Sequence, residues 1–356
     1  MEKAILVGVK LNNEKIPLEE SLAELEQLAR TSGAEAVTVI TQNRERPDRK
    51  YFIGQGKAEE LASLCAVNKP DLVIIDHEVS STQIRNLEDF IGVKVIDRTE
   101  LILDIFAQHA HTREGTLQVE LAQSEFQLTR LSGHGVSLSR LGGGIGTRGP
   151  GETKLEMDRR RIRKKISQLK TELEAVAKSR HLLREKRRSS RIRVGAIVGY
   201  TNAGKSTLLN AMAKAQVLVE DKLFATLDPV TKRTYLPGGQ VILLTDTVGF
   251  IQKLPHQLID AFKATLEEVN EADFLLHVVD SSSPYMEDQI EAVYKVLEEL
   301  GAIAKPIVTV FNKMDLKELP KKYLKQYSPA VFISAATREG LDDLSIVLSK
   351  LPAPPA

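Results

Sequence analysis

The stretch Gly199-Tyr-Thr-Asn-Ala-Gly-Lys-Ser206 spells G-x-x-x-x-G-K-S, and no other feature constrains the fold of this chain as tightly. That pattern carries weight only between a strand and a helix. Both flanks are present: Val194 to Val198 is a short apolar run, and Thr207-Leu-Leu-Asn-Ala-Met-Ala has helical character. Glycine permits φ > 0 and close backbone approach, so successive N–H groups can converge on phosphate oxygens, helped by the helix dipole. The expected cradle is Gly199, Tyr200, Thr201, Asn202, Ala203, Gly204, Lys205, Ser206 and Thr207. Lys205 would reach the β and γ phosphates, and the Ser206 hydroxyl would hold Mg²⁺.

The companions of such a loop follow in chain order. Val241-Ile-Leu-Leu-Thr-Asp-Thr-Val-Gly249 reads as a strand ending in D-x-x-G. There Asp246 would sit in the Mg²⁺ shell and the Gly249 N–H would meet the γ-phosphate. Phe224-Ala-Thr-Leu-Asp-Pro229 lies between the two motifs, and Thr226 would complete the metal shell. Ile307 to Asp315 is a strand followed by N-K-x-D. The Asp315 carboxylate can accept from guanine N1–H and the 2-amino group together, which adenine cannot offer. Lys313 would lie along the base plane and Asn312 would tie this loop to the P-loop. The backbone of Ser334, Ala335 and Ala336, at the end of a further strand, would meet guanine O6. Five short motifs in this order define a guanine-nucleotide domain, with GTP as substrate and GDP as product.

The catalytic step is unusual. Ras-like switches place a water-orienting glutamine directly after D-x-x-G. Here that position is Phe250, which cannot hydrogen-bond water, so intrinsic turnover is expected to be slow. The expected catalytic set is therefore Lys205, Thr226, Gly249 and Asn202. Asn202 has two readings: a K⁺ ligand beside the phosphates, as in cation-activated GTPases, or a residue that shapes the loop.

At 356 residues the chain should form two or three domains. A single cysteine, Cys65, excludes an intramolecular disulfide and suits a reducing compartment. Its apolar helical surroundings favour packing over reactivity. The apolar run Ala4 to Val9 is too short for a signal-peptide core or a membrane span. A cytoplasmic, monomeric protein without a membrane span is expected, with peripheral membrane association of part of the population.

Residues 1–110 alternate strand-like and helical segments, which argues for a small, mostly parallel α/β sheet. The expected strands are Ala4–Val9, Ala36–Ile40, Tyr51–Ile53, Asp71–Ile75 and Val93–Ile96. Gly54-Gln-Gly-Lys57 reads as a strand-to-helix turn, with a second anion-binding nest as the alternative. Asp76-His-Glu78 reads as a polar loop, because adjacent extended residues chelate poorly.

Residues 111–192 differ in composition. Leu117, Leu121, Ser124, Leu128 and Leu131, and later Ile162, Ile166, Leu169, Leu173 and Val176, repeat at spacings of four and three. Between them Ser132 to Gly151 is too rich in glycine to be helical. An antiparallel hairpin with a glycine-rich tip is the economical structure. From Glu152 to Arg193 sixteen Lys or Arg face six Asp or Glu, an excess of ten, so the rest of a chain of net charge +1 is acidic. One-sided positive charge is a nucleic-acid footprint. Arg140, Arg148, Lys154, Arg159, Arg160 and Arg163 are the expected RNA contacts. Residues 193–356 then form the nucleotide domain with a short tail.

Four stretches also resemble the HflX family of ribosome-associated GTPases, P-loop proteins of the TRAFAC type: Phe52–Lys57, Gln118–Ala122, Gly142–Lys154 and Phe224–Pro229. The resemblance runs along nearly the whole chain, and Gly142–Lys154 is its most specific part. It implies an N-terminal family domain, a helical hairpin and a G domain in which Phe250 is the usual kind of residue. It further implies binding to the large ribosomal subunit and its rRNA, with splitting or rescue of ribosomes. ATP binding in the N-terminal domain, near Gly54–Lys57, is also implied. Longer members add a C-terminal domain, whose contacts are expected to be absent in a chain that stops at Ala356. The rival reading is an RNA-binding or ribosome-assembly scaffold stabilised by GTP, with little turnover. Another is a GTP-dependent partner of an RNA-modifying enzyme.

Overall fold

The computed structural model describes residues 1–12, 17–133, 150–188, 192–213, 223–224, 227–253 and 268–352. Two compact units emerge: Met1–Gln108 with Thr116–Glu174, and His109–Gly115 with Ala175–Ala356.

In the first unit β1 (Glu2–Leu11), α1 (Leu18–Ser32), β2 (Ala34–Arg44), α2 (Gln55–Asn68), β3 (Leu72–Ile75), α3 (Ser81–Ile91), β4 (Lys94–Asp97) and α4 (Arg98–His109) alternate. The sheet order is β2-β1-β3-β4, and every pairing is parallel. β1 and β3 are apolar runs because helices cover both faces; β2 is an edge and alternates in exposure.

The expected strand Tyr51–Ile53 does not form. Asp48 and Phe52 exchange backbone hydrogen bonds of 2.8 and 3.1 Å, closing a turn in which Phe52 has φ 69°. The Asp48 carboxylate secures that turn by accepting from the N–H groups of Lys50 (2.8 Å) and Tyr51 (3.1 Å). The apolar run is a plug driven into the core with Leu61 and Val73, not a ladder. A second correction concerns Asp76, expected in a polar loop. It is fully buried and paired with Arg98 at 2.7 Å. Arg98 also meets Glu24, so the end of β3 closes on an internal ion-pair network.

α5 (Arg113–Gly133) and α6 (Pro150–Arg188) form the hairpin arms. Arg159 on α6 donates to the Leu131 carbonyl at 3.2 Å, and Lys170 pairs with Glu125 at 2.9 Å, so the arms run antiparallel. The stripe Ile162, Ile166, Leu169, Leu173 and Val176 is the less exposed side of α6. On α5 burial is wider than the repeat, taking in Gln118, Val119, Ala122 and Phe126.

The second unit contains β5 (Arg193–Gly199), α7 (Lys205–Ala213), β6 (Val230–Tyr235), β7 (Val241–Asp246), β8 (Phe274–Asp280), α8 (Met286–Glu299), β9 (Ile307–Asn312), α9 (Lys322–Gln326), β10 (Ala330–Phe332) and α10 (Leu341–Ser349). Its order is β10-β9-β8-β5-β7-β6, parallel except for the β6–β7 pair. The chain therefore reverses direction across the sheet at β5, and ligands of such sheets bind beyond the C-terminal strand ends there. Arg193, at the other end of β5, donates to the Leu351 carbonyl (2.8 Å) and the Gln240 side chain (3.0 Å).

Candidate guanine-nucleotide site

β5 delivers the P-loop, and its first turns are shaped by close contact. Gly204 has φ 91°, and a Cβ there would overlap the Asn312 amide. Asn202 is also left-handed, at φ 59°, with an exposed side chain. The N–H groups of Asn202 and Gly204 have no acceptor among the described residues, and the first amides of α7 have none within the helix. Backbone N–H donors at a helix N-terminus are what anion binding requires.

Lys205 is buried and donates from Nζ to the carbonyls of Tyr200 (2.8 Å) and Gly199 (3.2 Å). Burial holds its pKa down at about 8, with the Asp246 charge pulling the other way. A buried ammonium held by two backbone carbonyls is placed as a phosphate-binding lysine would be. Ser206 donates its hydroxyl to Asp246 Oδ2 at 2.6 Å. These two hard oxygen ligands fit Mg²⁺, which binds through one or two protein groups and fills its remaining positions with water and phosphate. No group of three or more His, Cys, Asp or Glu that could hold a metal ion exists among the described residues. Thr226 lies outside the described residues. Phe224 is 3% exposed with φ 57°.

The D-x-x-G segment is strapped to the P-loop. Phe250 N–H donates to the Gly199 carbonyl at 3.1 Å, and its carbonyl accepts from Thr201 at 2.7 Å. The Tyr200 hydroxyl accepts from the Gln252 N–H at 2.8 Å. A Cβ on Gly249 would stand 2.9 Å from Lys205 Nζ and 2.7 Å from Thr201 Cγ2, so only glycine lets the backbone lie over the lysine. The Gly249 N–H has no acceptor among the described residues.

Asn312 joins three loops. Its Nδ2 donates to Ala203 at 2.8 Å, and its Oδ1 accepts from Ala335 at 2.9 Å. The Ser334 N–H is bound by Glu339 at 3.0 Å. Of Ser334, Ala335 and Ala336, only Ala336 keeps an N–H without an acceptor among the described residues. Lys313 is left-handed at φ 64°, with Nζ 2.7 Å from Asp280 Oδ2. Asp315 is exposed, as a base-reading carboxylate must be. Sequence reasoning overlooked Asp280, although an aspartate closing the strand between D-x-x-G and N-K-x-D is a visible signal. It also passed over Ser281, whose N–H donates to the Asn312 carbonyl at 3.0 Å.

Elsewhere the candidates divide. His277 is buried, edge-on to Tyr294, and burial lowers its pKa to about 3, so it is a core residue. Cys65 is buried and its thiol pKa is raised by burial. Gly54 donates to the Gln42 side chain at 2.9 Å, and Lys57 pairs with Glu60 at 2.7 Å, so both are engaged within the fold. On α6, Arg159 is partly spent on Leu131, whereas Arg160 and Arg163 are exposed without an ion pair among the described residues. Arg140 and Arg148 lie outside the described residues, as does the side chain of Lys154. No helix among the described residues is long and apolar enough to cross a membrane.

Comparison with known proteins matches three stretches of the chain. Residues 19–107 match a profile described as "GTP-binding GTPase N-terminal" and 109–187 one described as "GTP-binding GTPase Middle Region". Residues 194–313 match "50S ribosome-binding GTPase". SsGBP in complex with GDP is similar at 25% identity and a TM-score of 0.54, covering 98% of each chain. A GTP-binding protein of Sulfolobus solfataricus with GDP shares the fold at 24% identity, TM-score 0.52 and 98% of each chain. GTPase HflX of Escherichia coli K12 is 45% identical over 98% of this chain and 82% of its own. GTPase HflX of Caldanaerobacter subterraneus is 54% identical over 96% of this chain and 79% of its own. With such identity along nearly its whole length, and a guanine-nucleotide site built as above, the chain belongs to the HflX family of GTPases.

Proposed function

We propose that this GTPase is a nucleotide-controlled ribosome factor that binds the large subunit and its rRNA and acts in splitting or rescuing ribosomes. The observation that carries the reading is the covalent join of a guanine-nucleotide site to a strongly basic helix, α6, five residues upstream of β5. The profile matched over residues 194–313, described as a 50S ribosome-binding GTPase, supports it. Residues 1–110, 111–192 and 193–356 act as the family domain, the hairpin and the G domain. Arg160 and Arg163 offer phosphate contacts on α6, joined by Arg159, Lys154, Arg140 and Arg148 toward the tip.

Lys205 and the Gly249 N–H hold the terminal phosphate, Asp315 and Lys313 the base. Ser206, Asp246 and Thr226 hold Mg²⁺, which when bound offsets charge on the phosphate oxygens. The Phe250 side chain is buried and cannot orient water, so turnover rises only when ribosomal contact completes the site. GTP makes the chain competent to dock, and hydrolysis releases it.

Sedimentation of ribosomes with the protein in GTP, GDP or a non-hydrolysable analogue tests this. Analogue-dependent co-sedimentation, lost in an Arg160→Glu/Arg163→Glu variant, is expected. Turnover unchanged by ribosomes would instead favour the GTP-stabilised scaffold.

A further inference from the structure

Asp228 lies two residues after Thr226 and makes contacts that nucleotide binding does not require. Its Oδ2 accepts the N–H groups of His111 (2.9 Å) and Thr112 (2.8 Å). Its Oδ1 accepts the Thr112 hydroxyl. Thr112 is itself the N-cap of α5, for its Oγ1 accepts the Gly115 N–H at 3.0 Å. A carboxylate over the first turn of a helix also meets the positive end of the helix dipole. All these residues belong to one compact unit, His109–Gly115 with Ala175–Ala356.

The approach is close, so that a side chain at position 115 would displace the carboxylate. A Cβ on Gly115 would overlap Asp228 Oδ1, although glycine inside a helix costs about 1 kcal/mol relative to alanine. On its other side Asp228 adjoins the nucleotide site. Leu227 is buried beside it, and β6 begins two residues on with Val230 paired opposite Asp246. The carboxylate therefore links the segment next to the metal ligand with the first turn of a hairpin arm.

We infer that Asp228 is a positioning residue that grips the start of α5 in a nucleotide-dependent way, so that the state of the phosphate site is passed to the hairpin. This rests on the proposed GTP switch, in which Thr226 and the D-x-x-G segment answer to the γ-phosphate. When Asp228 shifts, the cap of α5 is remade or lost, and the continuous helix carries the change along the arm.

Hydrogen exchange on the full chain at the amides of residues 111, 112 and 115, with GDP and with a non-hydrolysable GTP analogue, tests the inference. Exchange should differ about tenfold between the two nucleotides, as expected for losing a helix cap. Asp228→Asn, an isosteric change that turns an acceptor into a donor, should abolish the difference while leaving fluorescent-GDP affinity within about twofold. Gly115→Ala, which favours the helix but obstructs the carboxylate, should do the same and guards against misfolding of the first variant. Equal protection in both nucleotides, or a difference that survives both substitutions, would overturn the grip. Failure to bind either nucleotide would overturn the GTP reading along with it.

Discussion

The Phe250 carbonyl accepts the Thr201 N–H at 2.7 Å while the Phe250 ring is 1% exposed. The position that holds a catalytic glutamine in Ras-like switches is thus part of the P-loop's own support. Phe250→Ala should destabilise the protein by about 3–5 kcal/mol, the usual cost of emptying an aromatic core site. Phe250→Gln should not raise single-turnover hydrolysis, because the new amide would enter the core rather than face water. Urea titration and rapid-quench kinetics measure the two. A faster Phe250→Gln enzyme of normal stability would contradict the burial argument.

Lys205 makes the nucleotide-free fold sensitive to alkaline pH. Its folded pKa, about 8, lies below the ordinary 10.5 because burial disfavours the cation. Between those values the unfolded chain binds more protons, so stability rises with pH across that window. Below it the full cost of burying the ammonium is present. Urea midpoints of the nucleotide-free protein should therefore climb from about pH 8 to about pH 10 relative to Lys205→Met. Parallel curves for the two proteins would remove the assignment.

Asp315 should decide the base. It is exposed and lies in the turn closed by the Leu316 N–H on Lys313 at 2.9 Å. Asp315→Asn replaces an acceptor of guanine N1–H and the 2-amino group with a donor that suits a 2-oxo purine. Preference should pass from guanosine to xanthosine nucleotides, with stability unchanged within about 0.5 kcal/mol. Competition binding with GDP and XDP measures it, and retained GDP preference would show that other groups read the base.

Asn202 offers a test of the monovalent cation. Its exposed side chain and left-handed backbone suit either a K⁺ ligand or a loop former. If it ligates K⁺, replacing K⁺ by Na⁺ should slow turnover several-fold, and Asn202→Ala should erase that sensitivity. Equal rates in both salts would leave the loop-forming role.

The phosphate loop, D-x-x-G and N-K-x-D were legible in the chain because each is a local run of residues at a strand end. What joins them was harder to read. Asp280 reaches Lys313, and Asp228 reaches Thr112 across 116 positions, through contacts that only the folded chain brings together. Tyr51–Ile53 misled for the opposite reason: its apolar, aromatic letters describe burial, and the neighbouring Asp48 turn decided the backbone. On α5, a four-three repeat marked the helix but not how much of it would be covered.

The two hydrogen bonds that Arg193 donates, to the Leu351 carbonyl and to the Gln240 side chain, have a mechanical consequence. Arg193 follows the end of α6 by a few residues and opens the central strand, and Leu351 lies just past the last helix. The residue just past the last helix is therefore anchored at the root of the P-loop strand, so the end of α10 and the start of β5 are held at one guanidinium.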